Sequence, residues 1–305
     1  MKLGFVSSIL DGWNFDEVLD IASKAGFECL EVACWENASE SERRYAGVCH
    51  IDTEAITSDK ADEINRKCKA KDIEISSLAF YPNTMDSDLK KREANIKHLH
   101  SIIDASALLK INLVTTFIGR DQTKTVEENL ELVKKIWPDI VKHAEEKGVK
   151  IAIENCPMLF GSEQWPGGQN LMTSPRNWDR IFEILDSPNI GINFDPSHFV
   201  WQQMDYITPI YKYKDKLFHV HFKDLKVFKE KLNEVGVLAY PLEYMSPKLP
   251  GLGDVDWSKF ISALTDVGYE GYACIEIEDK SFESSKERII ESIVKSKNYI
   301  QQFPM

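Results

Sequence analysis

Four short apolar segments in the second half of the chain each end in side chains that bind metals or move protons. Their sequences are Ile151-Ala-Ile-Glu-Asn-Cys-Pro157, Gly191-Ile-Asn-Phe-Asp-Pro-Ser-His198, Phe218-His-Val-His-Phe-Lys-Asp224 and Ala273-Cys-Ile-Glu-Ile-Glu278. Short apolar runs are typical of parallel strands that are buried on both faces. The carboxyl ends of parallel strands share one side of a sheet or barrel, so the repetition predicts a single site there.

The rest of the chain predicts the same kind of architecture, because eight strands alternate with eight helices. Alternation of this kind indicates parallel pairing, and eight units in 305 residues favour a (β/α)8 TIM barrel. A doubly wound open sheet is the alternative, but it would spread the four strand ends along an edge. We expect one domain, residues 1–305, with insertions of about 36–57, 158–174 and 225–255 at the carboxyl end of the barrel.

Composition narrows the class of protein. The net charge of −12 argues against a nucleic-acid surface, which needs clustered Lys and Arg. The six cysteines are scattered without a C-x-x-C pair, so neither a zinc knuckle nor a disulfide framework is indicated, and a reducing cytoplasm fits best. No apolar run reaches the length of a membrane span, and the amino terminus does not resemble a signal peptide.

The four strand ends supply three carboxylates and one imidazole, from Glu154, Asp195, His221 and Glu276. Because three of these four candidate ligands bind through oxygen, the set suits Mn²⁺ best, with Mg²⁺, Co²⁺ or Zn²⁺ as alternatives. His219 points to the same side of its strand as His221. We favour His221 as the ligand because it lies nearer the carboxyl end, and interpret His219 as a packed, hydrogen-bonded residue.

Two of these acids offer chemistry as well as metal binding. A cation that polarises a carbonyl eases removal of the proton on the adjacent carbon, and it stabilises the resulting enediolate. Glu154 and Glu276 are then an acid/base pair on the two sides of a small polyhydroxy carbonyl compound, such as a sugar, a keto-sugar or a cyclitol. Return of the proton from the opposite side inverts the centre, whereas its return to the neighbouring carbon isomerises the compound.

With these residues, the sequence resembles the xylose-isomerase-like TIM-barrel superfamily of sugar phosphate isomerases and epimerases. The matching motifs are Ile153-Glu154-Asn155, Asp195-Pro-Ser-His198, His219-Val-His221-Phe-Lys-Asp224, Gly251-Leu-Gly-Asp-Val-Asp-Trp257 and Ile275-Glu276. The resemblance implies the same four metal ligands and the same acid/base pair, and it favours Glu276 over Glu278. It also implies that His198 contacts the substrate and that Lys223 lies beside it, and Asn155 joins these as a candidate substrate-binding residue.

For other residues near the predicted site, a purely structural role is an alternative to a functional one. Trp165 lies in a loop with flexible glycines, and it either stacks on a sugar ring or packs under the loop. The same holds for Trp35. His98, His100 and His143 fall in predicted helices, where we expect them to be solvated.

The pattern predicts a divalent-metal-dependent isomerase or epimerase. The alternative is a lyase or dehydratase that uses the same glutamates to eliminate a group from a keto-sugar or a 3-keto-glycoside. The DNA-repair nucleases of the superfamily use more histidines than these strand ends carry, and a non-catalytic binding protein has no need of two opposed glutamates. The insertions leave room for a bulky aglycone or a partner subunit, and the assembly is open between a homo-oligomer and a complex with a partner subunit.

Overall fold

A closed ring of eight parallel strands forms the centre of the computed structural model, which describes residues 1–36, 47–159 and 167–304. The described residues form ten strands: β1 Lys2–Val6, β2 Cys29–Ala33, β3 Glu74–Ala79, β4 Leu113–Thr116, β5 Lys150–Glu154, β6 Ile190–Phe194, β7 Leu217–Phe222, β8 Asp224–Val227, β9 Met245–Lys248 and β10 Tyr272–Ile275. The order around the ring is β1-β10-β7-β6-β5-β4-β3-β2. The predicted TIM barrel is therefore confirmed, and the open-sheet alternative is excluded.

Helices follow the strands around the outside of the barrel. They are α1 Phe15–Lys24, α2 Ser58–Lys71, α3 Leu89–Leu109, α4 Val126–Lys147, α5 Pro175–Ile184, α6 Ser197–Trp201, α7 Thr208–Lys212, α8 Lys229–Val235, α9 Trp257–Asp266 and α10 Lys286–Ile300. Thr125 and Glu128 form a capping box at the start of α4, and Gly148 ends that helix with φ 67°. Among the helices of the described ranges, none is long and apolar enough to cross a membrane.

The segment between β7 and α9 has structure that the sequence analysis did not predict. β8 and β9 pair as an antiparallel hairpin outside the barrel, and the short helix α8 between them buries none of its residues. The hairpin begins at Asp224, two residues after the end of β7. It therefore lies on the side of the barrel where the predicted site residues are.

One expectation about the helices is wrong. His98 in α3 is only 3% exposed, and its Nε2 atom lies 2.8 Å from the carbonyl oxygen of Cys34. The apolar stripe of α3 faces the barrel, and His98 belongs to this stripe beside Leu99 and Ile102, which are also buried. It therefore closes a hydrogen bond to the end of β2 instead of meeting solvent.

Candidate active site

Four side chains meet at the carboxyl end of the barrel. Glu154 is the last residue of β5, Asp195 and Glu276 follow β6 and β10 directly, and His221 lies near the end of β7. Each offers a potential ligand atom, and these atoms all lie within 4.8 Å of one another. The His221 Nδ1 atom is 3.6 Å from Glu154 Oε1 and 3.4 Å from Glu276 Oε2. The structure thus brings together all four residues that the sequence singled out as metal ligands.

The orientation of His221 is set from inside the barrel. Its Nε2 atom lies 2.8 Å from Oε2 of Glu31, a fully buried acid of β2. The Tyr81 hydroxyl donates to the other oxygen of this carboxylate, at 2.5 Å. A carboxylate bound to one imidazole nitrogen keeps the proton on that nitrogen. Nδ1 is therefore the nitrogen of His221 that faces the cluster, and it binds a metal once it has lost its own proton.

Asp195 is held by its neighbours along the chain and across the sheet. One carboxylate oxygen accepts a hydrogen bond from the Ser197 backbone N–H at 2.8 Å, which turns the chain into α6. The Asn155 amide donates to the Asp195 carbonyl at 2.8 Å and accepts from the Asp195 N–H at 2.7 Å. The second Asp195 oxygen, Oδ2, remains directed towards the cluster.

The donor set fits a divalent cation. Asp195 Oδ2, His221 Nδ1 and Glu276 Oε2 are buried atoms for which no well-aligned hydrogen bond is found within the described part of the chain. Three carboxylates so close together repel one another, and a cation between them removes that repulsion. Carboxylate oxygens with one imidazole are ligands that Mn²⁺, Mg²⁺, Co²⁺ and Zn²⁺ all accept.

The ionisation of the site follows from its mixture of acids and bases. Burial alone would raise the pKa of Glu154, but the imidazoles of His198 and His221 hold this pKa below its usual range. Burial opposes the charge on His221, yet Glu31, Glu154 and Glu276 raise its pKa well above the ordinary value. Without a metal, protons on the imidazoles therefore balance part of the negative charge.

His198 and Lys223 lie at the edge of the cluster. Phe199, the neighbour of His198 in α6, stacks on Trp178 with ring centroids 5.4 Å apart, which fixes the short helix against α5. The His198 Nε2 atom is then 3.6 Å from Glu154 Oε1 and 3.1 Å from Asp195 Oδ2. Lys223 Nζ lies 3.1 Å from Glu276 Oε2 and 2.8 Å from Glu278 Oε2.

Charged and largely apolar side chains line the pocket over the cluster. The charged ones are Glu154, Glu276, Glu278 and Lys223, and the others include Trp35, Tyr81, Phe117, Cys156 and Met158. Trp165 lies outside the described residues. The fully buried Asn155 binds the backbone of Asp195 with both groups of its amide, so it supports the wall of the site.

A comparison with known protein families agrees with this architecture. The sequence model of one protein family, described as the xylose isomerase-like TIM barrel, matches residues 19–299 of this chain. The chain belongs to the xylose isomerase-like TIM-barrel family. The match spans nearly all of the strands and helices that build the barrel, including all four strands that position the cluster.

Some of the proteins similar to this chain carry the names of enzymes. The inosose dehydratase of Clostridium tetani (strain Massachusetts / E88) is 23% identical over 78% of this chain and 80% of its own length. The crystal structure of the IolI protein with a zinc atom bound has a TM-score of 0.74 at 18% identity and covers 100% of both chains. D-psicose 3-epimerase from Clostridium cellulolyticum H10, solved with D-tagatose, has a TM-score of 0.66 at 16% identity over 99% of each chain. At these sequence identities, the similarity to the two solved structures shows only that the fold is shared.

Sequence reasoning missed two residues that lie against the cluster in this family member. Glu31 is an acid in the middle of the apolar strand Cys29-Leu-Glu-Val-Ala33, and that contrast is the only signal the sequence offers for it. Cys156 follows Glu154 by two residues and lines the pocket. An acid buried in a strand without a charged neighbour in sequence requires a partner from elsewhere in the fold, and here the partner is His221.

Proposed function

We propose that this protein is a divalent-metal-dependent isomerase or epimerase of a small polyhydroxy ketone or aldehyde. The observation that carries the proposal is the position of two glutamates at one cluster. Glu154 and Glu276 come from β5 and β10, which are three places apart in the ring of eight strands, and both also line the pocket. A carbonyl compound held between them presents different sides to the two carboxylates.

The protein's own residues perform the proton transfers in this proposal. A divalent cation held by Glu154, Asp195, His221 and Glu276 supplies polarisation of the substrate carbonyl. Glu276 takes the proton from the carbon next to that carbonyl. Before this transfer, the ammonium group of Lys223 balances the negative charge of the Glu276 carboxylate, because Lys223 Nζ lies 3.1 Å from Glu276 Oε2. Glu154 serves the other side of the substrate. Delivery of a proton there gives the epimer, whereas its delivery to the neighbouring carbon gives the isomer.

We propose Mn²⁺ as the metal because three of the four ligands are carboxylates, which hard cations prefer. Zinc is the alternative, in line with the zinc atom bound to the structurally similar IolI protein. A comparison of Mn²⁺, Mg²⁺, Co²⁺ and Zn²⁺ on chelator-treated protein distinguishes them. The highest turnover with Mn²⁺ at equal occupancy supports this assignment, and a dominance of Zn²⁺ contradicts it.

The pocket suggests how the substrate is held. His198 and Lys223 are the proposed contacts to hydroxyl or carbonyl oxygens, because both carry hydrogen-bond donors at the rim of the cluster. Trp35, Tyr81 and Phe117 offer aromatic faces on which the apolar side of a sugar or cyclitol ring packs. Trp165 remains a proposed stacking residue. For Asn155 we now propose a positioning role, because its amide is bonded to the Asp195 backbone.

A dehydratase is the second candidate, and one feature of the site favours it. The pKa of His198 is raised well above its usual value, because Cys156 and Asp195 outweigh the effect of burial. A protonated imidazole 3.6 Å from Glu154 Oε1 is placed to protonate a leaving hydroxyl group. The similarity to the C. tetani inosose dehydratase is in line with this second candidate.

Proton exchange tests both candidates. Mn²⁺-loaded protein is incubated in D₂O with ketoses, inososes and 3-keto-glycosides, and the proton next to the carbonyl is followed by NMR. Deuterium uptake with an intact carbon skeleton and hydroxyl set supports the isomerase or epimerase. Loss of water or of an alcohol supports the dehydratase or lyase. No exchange with any compound argues against both.

Two variants at positions two residues apart in the same segment sharpen this test. We expect Glu276→Gln to lower the exchange rate by at least about 100-fold, the range for loss of a general acid or base. Glu278→Gln is the matched control, because Glu278 also lines the pocket and also pairs with Lys223. Equal losses in the two variants would assign the effect to Lys223 and not to proton transfer by Glu276.

A further inference from the structure

Two sulfur atoms lie beside the carboxylate cluster. Cys156 and Met158 follow β5 directly, and both line the pocket. The Cys156 Sγ atom is 3.8 Å from the Met158 Sδ atom. Asn170 fixes this segment, because its amide donates to the carbonyl oxygens of Glu154 and Cys156 at 2.8 and 2.7 Å. The sulfur atoms therefore have a defined position next to a site whose other ligands are mainly oxygen.

Cys156 belongs to a second group of potential ligands. Glu154, Cys156 and His198 each offer one ligand atom, and these three atoms lie within 4.8 Å of one another. Glu154 is common to this group and to the cluster described above. The two groups are therefore adjacent and share one carboxylate.

His198 provides independent support for a ligand at this place. Its side chain is only 10% exposed, and its Nε2 atom is directed at the group, 3.6 Å from Glu154 Oε1. This nitrogen makes no well-aligned hydrogen bond to any described residue, although Asp195 Oδ2 is 3.1 Å away. A buried imidazole nitrogen without a proper hydrogen bond is unfavourable unless something else binds it.

We propose that Glu154, Cys156 and His198 form a second metal site that selects zinc or another thiophilic divalent cation. Thiolate, imidazole and carboxylate are the usual ligands of Zn²⁺, whereas hard cations such as Mn²⁺ do not use a thiol. The sulfur binds as thiolate, so the cysteine releases its proton to solvent as the metal enters, and no electron is transferred. Mn²⁺ fills the carboxylate cluster alone, whereas Zn²⁺ fills both sites.

Occupation of the second site has a consequence for the reaction. Zinc bound to His198 removes the nitrogen that the proposed function assigns to the substrate, so excess zinc inhibits a protein that already contains Mn²⁺. This consequence rests on the proposed function, but the existence of the site does not. Spectroscopy and stoichiometry test the site without a substrate.

The test uses the metal-stripped chain of 305 residues and three ions. Equilibrium dialysis is expected to give one Mn²⁺ and two Zn²⁺ per chain. Cd²⁺, a spectroscopic probe for zinc, is expected to produce a thiolate-to-metal absorption band in the ultraviolet. The band and the second zinc disappear in Cys156→Ser and persist in Cys49→Ser, a matched control because both cysteines are half-buried. A wild-type protein without the band, or a Cys156→Ser variant that keeps it, overturns the proposal.

Thiol alkylation gives an answer that requires no variant. Wild-type protein is treated with iodoacetamide, and modification of Cys156 and Cys49 is followed by mass spectrometry. We expect Zn²⁺ to slow alkylation of Cys156 at least about tenfold, whereas Mn²⁺ does not. Cys49 is the internal reference and reacts equally in all samples. Equal protection of Cys156 by Zn²⁺ and Mn²⁺ would show that only the carboxylate cluster binds metal.

Discussion

The Nε2 atom of His221 and the Oε2 atom of Glu31 lie 2.8 Å apart across the interior of the barrel. This contact joins β7 to β2, and the two residues are 190 positions apart in the sequence. It fixes which nitrogen of His221 carries the proton and directs the other nitrogen at the carboxylates of Glu154 and Glu276. Glu31 is thus a positioning residue for the proposed metal ligand.

Replacement of Glu31 by Gln tests this role. The amide keeps the size of the side chain but no longer fixes the imidazole tautomer, so we expect Mn²⁺ affinity to fall about 10- to 100-fold. Isothermal titration of metal-stripped protein measures the change. Glu28→Gln is the control, because Glu28 directly precedes β2 and accepts a hydrogen bond from the Leu3 N–H at 3.2 Å. Unchanged affinity in Glu31→Gln would remove Glu31 from the site.

Asn155→Ala tests the support of Asp195. The substitution leaves the buried N–H and C=O of Asp195 without their partners, and each loss costs about 1–3 kcal/mol. We expect the free energy of unfolding in urea to fall by about 2–4 kcal/mol and Mn²⁺ binding to weaken with it. Asn177→Ala is the control: this half-buried side chain makes one hydrogen bond, to the Leu171 carbonyl. Equal stability losses would contradict a special role for Asn155.

Much of the barrel was predictable because its signals are local. Apolar strands, helix caps and the glycine after α4 act within a few residues, and each predicted barrel strand overlaps a strand of the structure. The meeting of Glu154, Asp195, His221 and Glu276 was also predictable, because parallel strands in a closed ring place their carboxyl ends together.

The partners that cross the barrel were not predictable in the same way. The pairing of Glu31 with His221 depends on the side of β2 that faces inward and on the register between strands far apart in sequence. The hairpin of β8 and β9 was missed for another reason. Its strands have four residues each and contain lysines and a proline, so they lack the apolar alternation that predicts a strand.

The metal-free protein should become less stable as the pH rises. Burial opposes protonation, but Cys156 and Asp195 raise the pKa of His198 well above 6.5 in the folded state, and Glu31, Glu154 and Glu276 do the same for His221. The folded state therefore binds more protons than the unfolded state above pH 6.5. This stabilisation is complete below 6.5 and is lost as the pH rises through the folded pKa values.

Urea unfolding in the presence of a chelator measures this dependence from pH 6 upwards. We expect the midpoint to fall with rising pH and Mn²⁺ to reverse the fall, because the cation then replaces the protons. His221→Asn should flatten the pH dependence of the metal-free protein. A wild-type midpoint that rises steadily across this range would show that the folded protein does not hold the extra protons on His198 and His221.

Asp224 joins the barrel to the segment that follows the hairpin. Its carboxylate accepts five hydrogen bonds at 2.8–3.3 Å, from the backbone N–H groups of Leu225, Gly251, Gly253 and Val255 and from the Trp257 indole. Only a carboxylate, in which both oxygen atoms accept hydrogen bonds, satisfies so many donors. Asp224→Asn turns one end into a donor that faces donors, so we expect the free energy of unfolding to fall by about 2–4 kcal/mol.

Gly253→Ala tests the same junction from its other side. A Cβ atom at position 253 would lie 2.1 Å from Asp224 Oδ1 and 2.4 Å from the Leu225 carbonyl oxygen, so the segment must move away from the barrel. We therefore expect both variants to lower the urea midpoint and to speed proteolysis of residues 225–255.

Asp254→Asn is the control, because Asp254 accepts one hydrogen bond, from the exposed Val227 N–H at 2.7 Å. If Asp224→Asn and Asp254→Asn lose the same stability, the five donors around Asp224 are satisfied in another way. If proteolysis rises without a loss of stability, the hairpin opens independently of the barrel.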